Sequence, residues 1–321
     1  YMQHGTGYSN ITDIPVHVTN EDSEIKKLIA TKQYSAIMVC SDHLFLKRVR
    51  ELGYNGTLLY EIQGLGTEIA AECWMKQAKD YVQTYANAIF YPHTSHLEKL
   101  CQTYLPDIQS FSFHNCFDTS LFHYTPPTSK PSLPIIGWVG RLEPNKNWLG
   151  FLKLVSEVRR KQPQLKVWMF QDSTLASARE KANFYHQIQK LNLGEILTSH
   201  STIPHKVMPS YYSAIGDSGG FLCSTSQLEG FGYAVVEAMS CDCPVVSTDS
   251  DGVRSFLIHN QTGKEINLHD LSKASDECLD IMTNAPLRKQ LVLQARNHIE
   301  AILDPTLYCQ NFVRMIEQIR T

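Results

Sequence analysis

The sequence predicts an α/β protein built from two doubly wound, Rossmann-like domains in tandem, and three observations lead there. The chain has 321 residues, 43% of them hydrophobic and 10% aromatic, which is ample for two packed cores at roughly 150 residues per domain. Apolar runs of strand length alternate with segments of helical period over most of the chain, the pattern of parallel sheets covered by helices. Once, at 124–134, the alternation is broken by YTPPTSKPSLP, with four prolines in eleven residues, and it restarts beyond this linker.

Taken in order, YSAIMVC at 34–40 and GTLLYEI at 56–62 read as buried strands, with a helix between them from about Asp42 to Leu52. NAIFYP at 87–92 is a third strand leading into a helix from about Ser95, and SFSFHN at 110–115 is a fourth. Past the linker come the strand LPIIGWVG at 133–140, a helix at 147–161, the strand LKVWMF at 165–170 and a helix at 176–191. GGFLCST at 219–225, a helix at 232–240 and PVVST at 244–248 follow. In the helix after the linker, Trp148, Phe151, Leu152, Val155 and Val158 form one apolar stripe, so they belong to the core. A terminal helix from about Pro305 to Ile319 carries Leu307, Phe312, Met315 and Ile319 on its apolar side. The domains are accordingly placed at 1–127 and 128–304, with 305–321 crossing back to the first, so that 124–134 and the terminal helix make a two-crossing hinge.

Composition excludes several classes of function. Lys and Arg total 29 against 32 Asp and Glu, a net charge of -3, and no basic block tracks a phosphate backbone, so nucleic acid is not an expected partner. No apolar run approaches the roughly 20 residues that span a bilayer. A soluble, cytoplasmic chain is expected, with peripheral contact at the inner face of a membrane left open. The nine cysteines are scattered without a CxxC pair and read as free thiols in a reducing compartment. Cys241 and Cys243 read as small residues in a turn rather than metal ligands, because the other ligands of a zinc site are missing. His93 and His96 form an HxxH with no acid nearby in sequence, which leaves metal binding as a minor alternative. The sequons at Asn10, Asn55 and Asn260 are read as chance matches. The chain opens with Tyr1 and shows no leader-like segment, so it reads as trimmed or as starting inside a gene.

In an open parallel sheet, ligands sit at the carboxyl ends of the strands, and two such loops in the second half are unusual. In GRLEPNKN at 140–147, Arg141 and Lys146 lie five positions apart beside a helix start. Together they suit a diphosphate; two solvated surface charges are the alternative. In STSQLEGFGYAVVEAMSCDCPVVST at 224–248, Glu229 precedes Gly230, Phe231 and Gly232, and Glu237 lies within the following helix. The glycines let backbone approach a ligand, and the first helical N–H groups favour an anion. Two acids beside an anion site make sense only as acceptors from hydroxyl groups, those of a sugar or a ribose.

Together EGFGYAVVEAM, CPVVST and VGRLEPNKN resemble the signature segments of the retaining nucleotide-sugar glycosyltransferases of family 4 (glycosyl transferases group 1), which have the GT-B fold. NAIFYPHTSHLEKL, HNCFDTSLF and YYSAIGDSGGFLCSTSQLEGFG are also similar to segments of that family, so the likeness runs over roughly residues 34–265. It implies two Rossmann-like domains with the active site in the cleft between them. It further implies transfer of a hexosyl group from a UDP- or GDP-sugar to a glycan, lipid or small-molecule acceptor. Arg141 and Lys146 would hold the donor diphosphate, with backbone N–H groups of Phe231, Gly232 and Tyr233 beside Gly230 assisting. Glu237 would hold the ribose hydroxyls as a partly exposed acid, and Glu229 would lie near the donor sugar. With these cations in place the resemblance implies no cofactor and no divalent metal. It favours a front-face mechanism over a covalent intermediate on Glu229.

This chain also departs from the pattern. About 33 residues precede the first strand, fewer than the family pattern leads one to expect, and HGTG at 4–7 follows no strand as that pattern's glycine-rich loop would. Glu61, Gln63 and Gly64 stand where many relatives place a His facing the donor sugar, which makes Gln63 a candidate cleft contact. Asp251 and Gly252 replace a Gly-Gly pair, Arg254 and Ser255 stand where an acid is common, and His114 and Cys116 replace Pro and Gly. The competing readings are a catalytically silent nucleotide-binding relative or fragment, a GT-B epimerase and a phosphorylase.

Overall fold

The computed structural model describes residues 14–172 and 174–320. HGTG at 4–7 and the sequon at Asn10 lie outside them. The first half holds α1 (Asp22–Thr31), β1 (Ala36–Cys40), α2 (His43–Glu51), β2 (Thr57–Glu61), α3 (Glu68–Tyr85), β3 (Ala88–Tyr91), α4 (Ser95–Tyr104) and β4 (Gln109–Ser112). Its four strands pair in parallel in the order β1-β2-β3-β4. Leu58, Leu59, Tyr60, Ile89 and Phe90 are buried in the two inner strands, and such strands, covered on both faces, read as unbroken apolar runs.

The second half begins with β5 (Ile135–Val139), α5 (Trp148–Lys161), β6 (Lys166–Gln171), α6 (Ala178–Lys190) and β7 (Leu197–Ser201). It continues with α7 (Met208–Asp217), β8 (Phe221–Ser224), α8 (Tyr233–Ser240), β9 (Val245–Thr248), β10 (Lys264–Ile266), α9 (Leu271–Thr283), α10 (Ala285–Ile302) and α11 (Pro305–Arg320). The six strands run parallel in the order β10-β9-β8-β5-β6-β7. The chain walks outward from β5 to β7, then returns to β8 on the other side of β5. The two loops leaving β5 and β8 therefore diverge over a crevice at the switch point, where ligands bind in such sheets.

Packing fixes that crevice firmly. The predicted stripe of α5 is buried in full: Trp148, Phe151, Leu152, Val155 and Val158 are at most 3% exposed, each contributing about 1.5–3 kcal/mol of burial. On α11, Met315 is buried among Leu59, Ala88 and Phe90 of the first sheet, with Phe312 and Ile319 packed partly against them. Leu307, expected on the same apolar side, is instead 41% exposed. The cysteines are free. Cys241 and Cys243 are buried in the core under α8, and burial pushes the Cys243 thiol up to about 12.

Candidate active site

The cleft is assembled from its two loops upward. Leaving β5, the chain makes a short 3-10 turn at Pro144–Lys146. Asn147 then takes a left-handed conformation and caps α5, its side chain accepting from the Gly150 amide. Leaving β8, Thr225 receives the Trp138 indole N–H at 3.1 Å and donates to the Lys146 carbonyl at 3.0 Å. Asn145 Nδ2 donates to the Leu228 carbonyl, and the Gln227 amide donates to the Asn145 carbonyl. These bonds stitch the two loops into one surface and set Lys146 beside Glu229.

Lys146 Nζ lies 2.6 Å from Glu229 Oε1, and Ser226 Oγ donates to the same oxygen at 2.6 Å. Both side chains of the ion pair are largely buried. Arg141 is more open, with its side chain 60% exposed and paired to Glu143 at 3.1 Å. Gly232 precedes α8 with φ +86° and supplies no side-chain cap, so the first amides of that helix are left for a ligand. A left-handed φ of this size favours glycine, and a Cβ there would also meet Val253 at 2.6 Å.

Glu237 sits deeper than the sequence suggests. It is 8% exposed, not partly exposed, because both of its oxygens are already engaged. The hydroxyl of the wholly buried Tyr212 donates to Oε2 at 2.7 Å, and His205 Nε2 meets Oε1 at 2.9 Å. The bond to Glu237 raises the His205 imidazole above its usual value, against burial, which lowers it. Burial foremost, with the Glu237 charge, raises the Tyr212 phenol far above its usual value. The sequence reading gave His205 and Tyr212 no role: His205 stands in the short turn between β7 and α7, where no apolar periodicity marks a strand end, and Tyr212 reads as one more apolar residue of α7.

The first half closes the cleft through the loop after β2. Gly64 and Gly230 meet backbone to backbone: a Cβ on Gly230 would lie 2.7 Å from Gly64 Cα. Behind this contact Gln63 Nε2 donates to the buried Glu61 at 2.6 Å, and Asn115 Nδ2 donates to Gln63 Oε1 at 3.3 Å. A second bridge lies at Asp251, whose carboxylate accepts from Ser95 Oγ at 2.7 Å and from the His96 amide at 2.6 Å, with Arg254 at 3.0 Å. The HxxH pair thus does have an acid nearby, brought in by the fold, and it binds main chain. His93 turns instead to Ser112. Among the described residues no three His, Cys, Asp or Glu side chains group as a metal would require.

The resulting cleft encloses about 640 Å³. All nine residues singled out from the sequence line it: Gln63, Arg141, Lys146, Glu229, Gly230, Phe231, Gly232, Tyr233 and Glu237. Its remaining wall is partly apolar, with Val139, Phe170, Ile203 and Met208. The cleft therefore offers cations and helix amides, two carboxylates set among them, and a greasy face. That combination suits a ligand with phosphate, polyol and ring portions.

A fold of two Rossmann-like parallel sheets facing across such a cleft is the GT-B arrangement. The chain belongs to the family described as Glycosyl transferases group 1, whose model matches residues 126–298. It is similar to the poly(ribitol-phosphate) alpha-N-acetylglucosaminyltransferase of Staphylococcus aureus (strain COL), 25% identical over 195 residues that make up 60% of this chain and 37% of that protein. It is also similar to the D-inositol 3-phosphate glycosyltransferase of Paenarthrobacter aurescens (strain TC1), 24% identical over 164 residues, 51% of this chain and 39% of that one. The matched regions thus span less than two fifths of either relative. Among solved structures, Anabaena Alr3699/HepE in complex with UDP-glucose superposes with a TM-score of 0.78 at 16% identity, over 95% of this chain and 86% of that one. Sucrose-phosphate synthase from Thermosynechococcus elongatus gives 0.77 at 19% identity, over 93% and 77%. At these identities the superpositions speak for the fold. No helix among the described residues is long and apolar enough to cross a membrane.

Proposed function

We propose that this chain is a retaining family 4 transferase that moves a hexosyl group from a UDP- or GDP-sugar to a hydroxyl of a glycan, lipid or small-molecule acceptor. The observation that carries the reading is the convergence of Arg141, Lys146 and the uncapped start of α8 on one cleft that Glu229 and Glu237 also line. The cations and amides receive the diphosphate and stabilise it as it leaves. The apolar face at Phe170, Ile203 and Met208 receives the nucleobase, Glu237 and His205 lie by the ribose, and Glu229 lies by the sugar. In this reading the donor half is 128–304, and the acceptor half is 1–127 joined by 305–321.

The donor C1–O bond breaks as the acceptor oxygen bonds to C1 on the same face, and the acceptor proton passes to the departing phosphate oxygen. This front-face course asks only for positioning and charge stabilisation. Lys146 already neutralises Glu229 at 2.6 Å, so that carboxylate is held as a partner of the cation rather than set up as a nucleophile. Positive charge for the leaving group comes from Arg141, Lys146 and helix amides, so the reading needs no divalent metal. Thermal shift with UDP, GDP and ADP, followed by NMR of the product anomer from the best sugar donor, tests it. Stabilisation by a nucleoside diphosphate and a product of unchanged anomeric configuration are expected; an inverted product, or no response to any of the three, overturns it.

A further inference from the structure

Gln63 lines the cleft beside the Glu229–Gly230 turn, since its neighbour Gly64 touches Gly230 and a Cβ on Gly230 would come within 3.8 Å of the Gln63 carbonyl carbon. A carboxamide is symmetric in shape and opposite in chemistry at its two ends, so what it offers a ligand depends on which way round it is held. Here the choice is made by Glu61, at the end of β2 and 8% exposed. An ionised carboxylate only accepts, and it takes a Gln63 N–H at 2.6 Å. The other end of the carboxamide receives Asn115 Nδ2 at 3.3 Å. Turning Gln63 over would set carbonyl against carboxylate and one NH2 against another, two repulsive contacts in place of two hydrogen bonds. The Cys40 thiol near Glu61 is pushed up to about 11, first by burial and then by the Glu61 charge.

The inventory of Gln63 is then nearly spent. One N–H belongs to Glu61, the carbonyl accepts from Asn115, and the second N–H is the donor left for a ligand. We propose that Glu61 is a positioning residue that orients Gln63 so that this remaining N–H is offered to a hydroxyl oxygen of the transferred sugar, which makes the pair a determinant of sugar recognition. The inference rests on the glycosyltransferase reading above and adds a specificity element to it. Glu61 does not line the cleft and acts only through Gln63.

The test uses the whole chain and the fastest-hydrolysed donor among UDP-glucose, UDP-N-acetylglucosamine and GDP-mannose, with the matching nucleoside diphosphate as the sugar-free probe. Glu61→Gln keeps the shape and removes the acceptor-only character. It should lower kcat/KM for the sugar donor about tenfold while leaving the Kd of the bare diphosphate within about twofold. The double variant Glu61→Gln with Gln63→Glu restores a donor facing an acceptor between the two positions but presents a carboxylate to the sugar. It should recover the thermal stability of the parent without recovering turnover. Unchanged kcat/KM in Glu61→Gln, or recovery of turnover together with stability in the double variant, would show that Glu61 serves only the fold and overturn the proposal. If the parent chain binds neither UDP nor GDP, the glycosyltransferase reading itself fails, and this inference falls with it.

Discussion

Lys146 Nζ stands 2.6 Å from Glu229 Oε1, joining the loop after β5 to the loop after β8 across the floor of the cleft. A phosphate that takes Lys146 must share it with a carboxylate already in place, so the site is neutral at its floor before any ligand arrives. Arg141, with its side chain 60% exposed, is the freer cation.

Lys146→Ala and Arg141→Ala should each weaken binding of a nucleoside diphosphate, relative to the nucleoside, by about 1.5–3 kcal/mol, or roughly ten- to a hundredfold. Lys146→Ala should have the larger effect and should also lower stability, because it strands Glu229. Isothermal titration with UDP and uridine measures both differences. Equal losses for the two ligands would remove these residues from the phosphate site.

Glu237→Ala should destabilise the chain as well as weaken nucleotide binding. The variant leaves the wholly buried Tyr212 hydroxyl without its acceptor, a loss of about 1–3 kcal/mol. Glu237→Gln, which keeps an acceptor for Tyr212, should retain most of that stability and still bind nucleotide weakly. Urea denaturation separates the two, and an alanine variant as stable as the parent would contradict the geometry.

Stability should carry a signature of His205. Its imidazole is raised in the folded chain by the bond to Glu237. The stabilising contribution is therefore present in full below the unfolded value of about 6.5 and is lost as pH rises through the higher folded value. With the His205 side chain 54% exposed the effect is small. The gap in urea midpoint between the parent and His205→Asn should be widest near about pH 5 and close toward about pH 9; a gap that widens with pH would refute the assignment.

Asp251→Ala should loosen the contact between the halves. Burial opposes ionisation of Asp251, yet the His96 amide, the Ser95 hydroxyl and Arg254 together hold its carboxyl below the usual value. Its contribution is thus present above the unfolded value of about 3.8 and is lost as pH falls through the folded one. Removing it takes the acceptor from the His96 amide in the first turn of α4, which Thr94 still caps, at a cost of about 1–3 kcal/mol. It should also enlarge the radius of gyration measured by X-ray scattering, whereas an unchanged radius with unchanged stability would mean that Asp251 carries no bridging load.

The inner strands of both sheets were legible because they are covered on both faces, so AIFY and FLCS are plain apolar runs. Edge strands were legible only where apolar side chains mark them, as in AIMVC of β1, and elements with weaker apolar contrast were missed. The edge strand β7 reads LTSHS, with no fully buried residue. Helix α3 buries Ala71, Met75, Ala78 and Val82, and two alanines among four anchors give little contrast against its other face. The cleft residues were legible because Arg141, Lys146 and Glu229 stand on loops next to readable strands and Glu237 on the helix that follows one of them. Their supports were not: His205, Tyr212, Asn115 and Asp251 reach the site across 25 or more positions of sequence or from the other sheet. Such pairings are fixed only when the chain has folded.

The meeting of Gly64 with Gly230 has a consequence for how the molecule tolerates change. Where side chains interlock, a substitution on one surface can be answered by a complementary one on the other. Two bare stretches of main chain offer nothing to trim, so at this point the spacing of the halves is set by the thickness of the peptide itself. A single added methyl group on Gly230, 2.7 Å from Gly64 Cα, acts as a wedge that no neighbouring side chain can shrink to accommodate. Inserting that wedge is therefore a way to hold the cleft ajar without touching any of its charged groups.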